Sequence, residues 1–172
     1  MYLILSHGRG GSPNGVLMVL MAEVAKNYPL EVIRVDDSDI TNEPEKRANR
    51  LIELVQSLPS EEEIILAGFS MGGFCSVCAA EACQNVRGLF LIAPALYLPH
   101  YPQRKYRTDL INVEIIHGWS DDTVIYEHSL RYAKSLNATL HLIAGNHVIR
   151  SQAFRVKEIF DNYLNRIFSN RK

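Results

Sequence analysis

Six short apolar runs, at residues 2–5, 31–35, 63–67, 88–93, 113–117 and 138–143, recur along the chain, each bounded by Gly, Pro, Asp or Asn. Several are apolar on consecutive residues rather than alternating, the pattern of strands covered on both faces. Between them the spacing turns helical: Val16, Leu17, Leu20 and Val24 share one face, Ala48, Leu51, Ile52 and Val55 a second, and Val156, Ile159, Phe160, Tyr163 and Ile167 a third. Pro44 suits a first helical turn and Pro59 a stop. This alternation predicts a three-layer α/β/α open sheet of six parallel strands with helices on both faces. At 172 residues, one domain (1–172) can bury enough surface to need no disulfide or metal staple.

Composition narrows the partners. With 47% hydrophobic and 22% charged residues and a formal net charge of −1, the chain offers no positive field for nucleic acid or an anionic membrane. No apolar run approaches spanning length, and Met1-Tyr2-Leu3-Ile4-Leu5 lacks the basic and long apolar regions of a signal peptide, so a cytoplasmic location is expected. Cys75, Cys78 and Cys83 fall in one expected helix; they read as reduced core thiols rather than as a redox C-x-x-C.

Gly68-Phe69-Ser70-Met71-Gly72 stands between an expected strand and an expected helix. A Gly-x-Ser-x-Gly arises by chance in about one chain in twenty of this size, so its placement carries the argument. In a tight strand-to-helix turn the flanking glycines make room, and the Met71 N–H can face a developing oxyanion. A serine hydroxyl needs a base. Of six histidines, His147 follows the last expected strand, whereas His141 lies within it and His128 on a helix. Loops after the carboxyl ends of parallel strands share one edge, so His147 is the best-placed base. The imidazole needs a carboxylate, and the segment after the fifth strand offers Asp121 and Asp122. Ser6-His7-Gly8-Arg9-Gly10-Gly11 follows the first strand and can supply a second oxyanion N–H, that of Arg9. A phosphate-binding reading of this glycine-rich loop fails, since Pro13 occupies the position of the last glycine in G-x-G-x-x-G. Asp36, Asp37 and Asp39 read as turn and capping residues rather than metal ligands.

The order Ser70, Asp121, His147, with His7-Gly8 after the first strand, resembles the α/β-hydrolase superfamily, closest to small, lidless bacterial serine hydrolases of the esterase type. The resemblance covers nearly the whole chain. It implies a minimal fold with strand order 2-1-3-4-5-6, and its H-G-x-x-D segment, matched by His117-Gly118-Trp119-Ser120-Asp121, selects Asp121 over Asp122. Relative to larger members, the N-terminal antiparallel hairpin is missing and any lid is reduced to 94–110, which implies a shallow, exposed site.

The interval 94–110 lacks clear helical periodicity and holds Tyr97, Tyr101, Arg104 and Arg107, which could favour an anionic substrate; a solvated, flexible loop is the plainer reading. The expected function is hydrolysis of a small-molecule carboxylic ester or related acyl bond, without metal or cofactor, by Ser70, His147 and Asp121 with the N–H groups of Arg9 and Met71. The alternative is a binding protein with an inactive triad.

Overall fold

The computed structural model describes residues 1–102, 106, 107 and 109–169. Six strands, β1 (Tyr2–Ser6), β2 (Glu31–Val35), β3 (Ile64–Phe69), β4 (Val86–Ile92), β5 (Val113–Gly118) and β6 (Thr139–Ile143), pair in parallel in the order β2-β1-β3-β4-β5-β6. Among the described residues five α-helices accompany them: α1 (Val16–Ala25), α2 (Pro44–Ser57), α3 (Met71–Ala82), α4 (Tyr126–Leu136) and α5 (Ala153–Ser169). Strand order and layering are as the sequence and the resemblance led us to expect.

Position in the sheet explains the strand sequences. β3 and β5 are buried almost throughout, whereas the edge strands β2 and β6 carry the exposed Glu31, Arg34 and Thr139. On one face Leu66, Leu91 and Ile115 pack with Leu51 of α2, Phe74 of α3 and Tyr132 of α4. On the other, Leu5, Ile65 and Phe90 pack with Met21 of α1 and Phe160 of α5. Helix α2 does begin at Pro44, and it stops at Ser57 with Leu58 extended ahead of Pro59.

Helix α3 is buried on every side from Met71 to Ala80. Its Gly, Ala, Ser and Cys residues let α2 and β3 approach closely, and a helix so enclosed shows no amphipathic stripe. Cys75, Cys78 and Cys83 are buried free thiols within this packing. Burial pushes the Cys75 thiol up to about 12 against the pull of Arg47, which disfavours the reactive thiolate.

The topology also determines where loops meet. β1 and β3 are neighbours, with Ser6 opposite Gly68, so the segments starting at His7 and Phe69 leave the sheet side by side at the switch point of the strand order. The segment after β4 folds back onto the same edge: Ala93, Ala95 and Leu96 are buried, and the Ala95 N–H donates to Ser70 O at 3.0 Å.

Candidate active site

Ser70 occupies the turn between β3 and α3 with φ 53° and ψ −116°, a conformation that costs a non-glycine residue about 1–3 kcal/mol. Its neighbours hold it there. The Ser70 N–H donates to Ile92 O at 2.9 Å, and its carbonyl accepts from Phe74 N and Ala95 N. A Cβ on Gly68 would lie 2.3 Å from Gly72 O, and one on Gly72 would lie 2.1 Å from Ser6 O. Only glycine fits at either position, so both glycines of the motif are structural requirements of the turn.

Ser70 Oγ lies 2.8 Å from His147 Nε2, and His147 Nδ1 lies 2.7 Å from Asp121 Oδ2. With Nδ1–H donating to the carboxylate, Nε2 is the nitrogen free to accept the serine proton. The loop carrying His147 is anchored two residues later by Ile149, a fully buried side chain on a left-handed backbone, φ 52°. The Phe69 ring packs 5.2 Å from the imidazole, centre to centre.

Asp121 is held by four donors. Its Oδ1 accepts from Thr123 N at 2.9 Å and Val124 N at 2.8 Å, and its Oδ2 accepts from His147 and, at 3.0 Å, from His117 Nε2. Burial acts to raise this carboxyl's pKa, but the hydrogen bonds from His117, His147 and Val124 prevail and hold it well below the usual carboxylate range. Asp122 is exposed and hydrogen-bonds Thr123 Oγ1, so Asp121 is the carboxylate that meets His147.

His117 is a participant that the sequence reading quoted but gave no role. Fully buried, its Nε2 faces two acceptors, Asp121 Oδ2 and Val124 O, and therefore carries the proton; its Nδ1 accepts from the Ser129 hydroxyl at 2.7 Å. The line of hydrogen bonds thus runs from Ser70 through His147, Asp121 and His117 to Ser129 on α4.

A second buried network lies under the β1 loop. Arg47 is fully buried, and its Nε donates to Asp37 Oδ2 at 2.9 Å, its Nη2 to His7 O at 2.5 Å and its Nη1 to Met71 Sδ at 3.4 Å. His7 Nε2 accepts from Asp37 N at 3.2 Å, which leaves the ring proton on Nδ1 to bond Gly8 O at 2.8 Å. Gly11 N also donates to Gly8 O. Because a trans peptide sets its C=O and N–H in opposite directions, pinning Gly8 O fixes the Arg9 N–H on the far side of that peptide. A Cβ on Gly8 would fall 3.4 Å from Ser70 Cβ, so this peptide borders the serine. Met71 opens α3, where first-turn N–H groups have no partner within the helix. Asp37 is thus a buried ion-pair partner, correcting its reading as a turn or capping residue. Asp36 keeps that role through Ser38 N, and Asp39 pairs with Arg50.

Tyr97, Tyr101 and Arg107 of the 94–110 interval have their partners away from the Ser70 hydroxyl. Arg107 bonds Asp109 and Glu81 at the last turn of α3, about 16 Å along the helix from the serine. Tyr97 packs against Tyr106 and His128 with Arg131 over its ring. Tyr101 is buried edge-on against Phe74, and burial pushes its hydroxyl up to about 12. Arg104 lies outside the described residues. The tyrosines face inward because their rings complete the packing over α3 and α4. Among the described residues, no group of three or more His, Cys, Asp or Glu is arranged to hold a metal ion, and no helix is long and apolar enough to cross a membrane.

Solved structures match this architecture. A protein of Xanthomonas campestris pv. campestris ascribed to the α/β-hydrolase superfamily superposes with a TM-score of 0.85 at 22% identity, covering 95% of this chain and 98% of its own. The chain has the α/β-hydrolase fold. Mouse alpha/beta hydrolase domain-containing protein 10 shares this fold (TM-score 0.80, 20% identity, 96% and 90% covered), as does Est1E of Butyrivibrio proteoclasticus (0.77, 20%, 98% and 88%). No family model matches the sequence, and no curated protein matches it significantly. On this α/β-hydrolase fold the serine, histidine and aspartate follow β3, β6 and β5 on one edge.

Proposed function

We propose that the chain is a serine hydrolase acting on a carboxylic ester or related acyl bond. The single observation that carries this reading is the pair of contacts at 2.8 and 2.7 Å linking Ser70 Oγ, His147 and Asp121, with one imidazole nitrogen committed to each neighbour. Ser70 attacks the acyl carbon while His147 takes its proton. Asp121 fixes the tautomer and stabilises the imidazolium. The N–H groups of Met71 and Arg9 face the developing oxyanion, and the strained serine backbone and the pinned Gly8–Arg9 peptide pre-position them. His147 then protonates the leaving group, and water attacks the acyl-enzyme by the same route in reverse.

The fold admits many chemistries, so the site and not the likeness supports this reading. Thioester and amide bonds would use the same groups, with the surrounding pocket selecting among them. The test is covalent labelling by a fluorophosphonate probe, with the modified residue located by peptide mass. We expect rapid labelling at Ser70 and none in Ser70→Ala; folded protein that resists the probe overturns the proposal in favour of a binding protein with a silent triad.

A further inference from the structure

A cleft of about 300 Å³ runs between the β1 loop, the start of α1, Phe69 and the segment after His147. Val16, Leu17, Phe69 and Val148 give it apolar wall, and the exposed Arg9 and Arg150 also line it. Two features tie it to the reacting centre: Phe69 and Val148 directly adjoin Ser70 and His147 in the chain, and Gly8, bordering Ser70, also lines it. The charge is local. No Asp or Glu lines the cleft, and neither Arg9 nor Arg150 makes an ion pair with a described residue. By contrast, Arg34, Arg47, Arg50, Arg87, Arg107 and Arg166 are each engaged by a protein acceptor.

We propose that this cleft selects a small ester bearing a carboxylate, on the basis of the hydrolase reading above. The apolar part of the substrate lies against Val16, Leu17, Phe69 and Val148, and the carboxylate meets the guanidinium groups of Arg9 and Arg150. Arginine presents paired donors suited to a carboxylate and is weakly hydrated, so it gives up less on binding than lysine would. A volume of about 300 Å³ is at the lower end for ligand sites, which limits the occupant to a short chain or a single ring. This puts an anion preference on Arg9 and Arg150 rather than on the arginines of the 94–110 interval, where the sequence had offered it as the less plain reading.

The carboxylate can belong to the acyl or the alcohol half of the ester, and two matched pairs separate these sources. One compares 4-nitrophenyl hydrogen glutarate with 4-nitrophenyl hexanoate; the other compares 4-acetoxybenzoate with 4-acetoxybenzamide. We expect the charged member of one pair to be favoured in kcat/KM, and Arg150→Gln to reduce that charged-to-neutral ratio about tenfold. Arg107→Gln removes one positive charge at the far end of α3 and should leave the ratio unchanged. Equal ratios in wild type and Arg150→Gln for both pairs overturn the proposal. Titration of Ser70→Ala with the glutarate monoester and with 4-acetoxybenzoate reads the cleft without turnover: weaker binding of either after adding Arg150→Gln supports it, and unchanged binding of both counts against it. Binding that depends on Arg150 in a protein that neither hydrolyses esters nor takes the fluorophosphonate would sink the hydrolase reading and leave the cleft assignment standing.

Discussion

Among the histidine–carboxylate contacts of β5, β6 and the loops after them, two differ in what the other imidazole nitrogen meets, and only in one of these two is it a serine hydroxyl. His147 meets Asp121 at 2.7 Å, and His141 meets Glu114 at 2.6 Å. Their surroundings differ. The second nitrogen of His147 faces Ser70 Oγ, and Asp121 is backed by His117 and two backbone N–H groups. Glu114 instead shares its charge between His141 and the largely exposed Arg166 of α5, tying two strands to a helix. A close histidine–carboxylate contact is therefore no sign of catalysis by itself; what matters is where the other imidazole nitrogen points and whether the carboxylate answers to that histidine or to a cation.

The largest expected effect tests this difference directly. His147→Ala or Ser70→Ala should lower kcat by about 10³ to 10⁶, and the double variant should lose hardly more than either alone, because the groups act as a unit. His141→Ala should change kcat by less than about threefold while lowering the urea midpoint, since it loosens only a strand-to-helix tie. Steady-state kinetics on a p-nitrophenyl ester checks both. Multiplicative losses at Ser70 and His147, or a comparable loss at His141, would erase the distinction.

How far this site could be read in the sequence follows from how local each signal is. The six strands were legible because buried parallel strands are written as consecutive apolar residues, whereas their order came from the resemblance, since an apolar run does not say which strand it pairs with. Gly68 and Gly72 were legible because a turn this tight demands glycine at both places. His147 could be placed by its position after β6, whereas Asp121 was chosen over Asp122 by resemblance, the spacing being the same within one residue. The Asp37–Arg47 pair left no local trace: its members sit on different elements, and each alone resembles an ordinary surface charge. His117 was equally opaque, since a histidine inside a strand reads the same whether it braces a carboxylate or merely fills space. The tyrosines after β4 misled for a related reason. Without periodicity they read as exposed, yet Tyr101 and Tyr106 complete the packing over α3.

Two of the carboxylate–arginine pairs, Asp37–Arg47 and Glu114–Arg166, extend the comparison to stability. Arg47 and Asp37 are both essentially inaccessible, whereas Arg166 is 56% exposed. Arg47→Leu should destabilise by about 3–5 kcal/mol, nearer the lower figure because Arg50 still reaches Asp37 at 3.3 Å. Arg166→Ala should cost about 1 kcal/mol or less, as partly exposed pairs do. Replacing both members, Arg47→Met with Asp37→Leu, should restore much of the loss, because an unpaired buried charge costs more than an apolar contact. Urea denaturation distinguishes these outcomes. If the double variant were no more stable than Arg47→Leu, the network's value would lie in its bonds to His7 and Met71 rather than in cancelling the Asp37 charge.

The smallest expected effect concerns pH. Asp121 has a folded pKa held below the ordinary value of about 3.9 by its donors. A carboxyl with a depressed folded pKa contributes stability that is complete above the unfolded value and is lost as pH falls through the folded one. Wild type should therefore exceed Asp121→Asn in stability by a constant margin above about pH 5, and the margin should shrink progressively below about pH 4. Urea midpoints measured across that range for the two proteins supply the test. A margin that persisted unchanged to the acid limit would mean that packing around residue 121, and not the ionised carboxylate gripped by His117 and His147, holds this end of the triad in place.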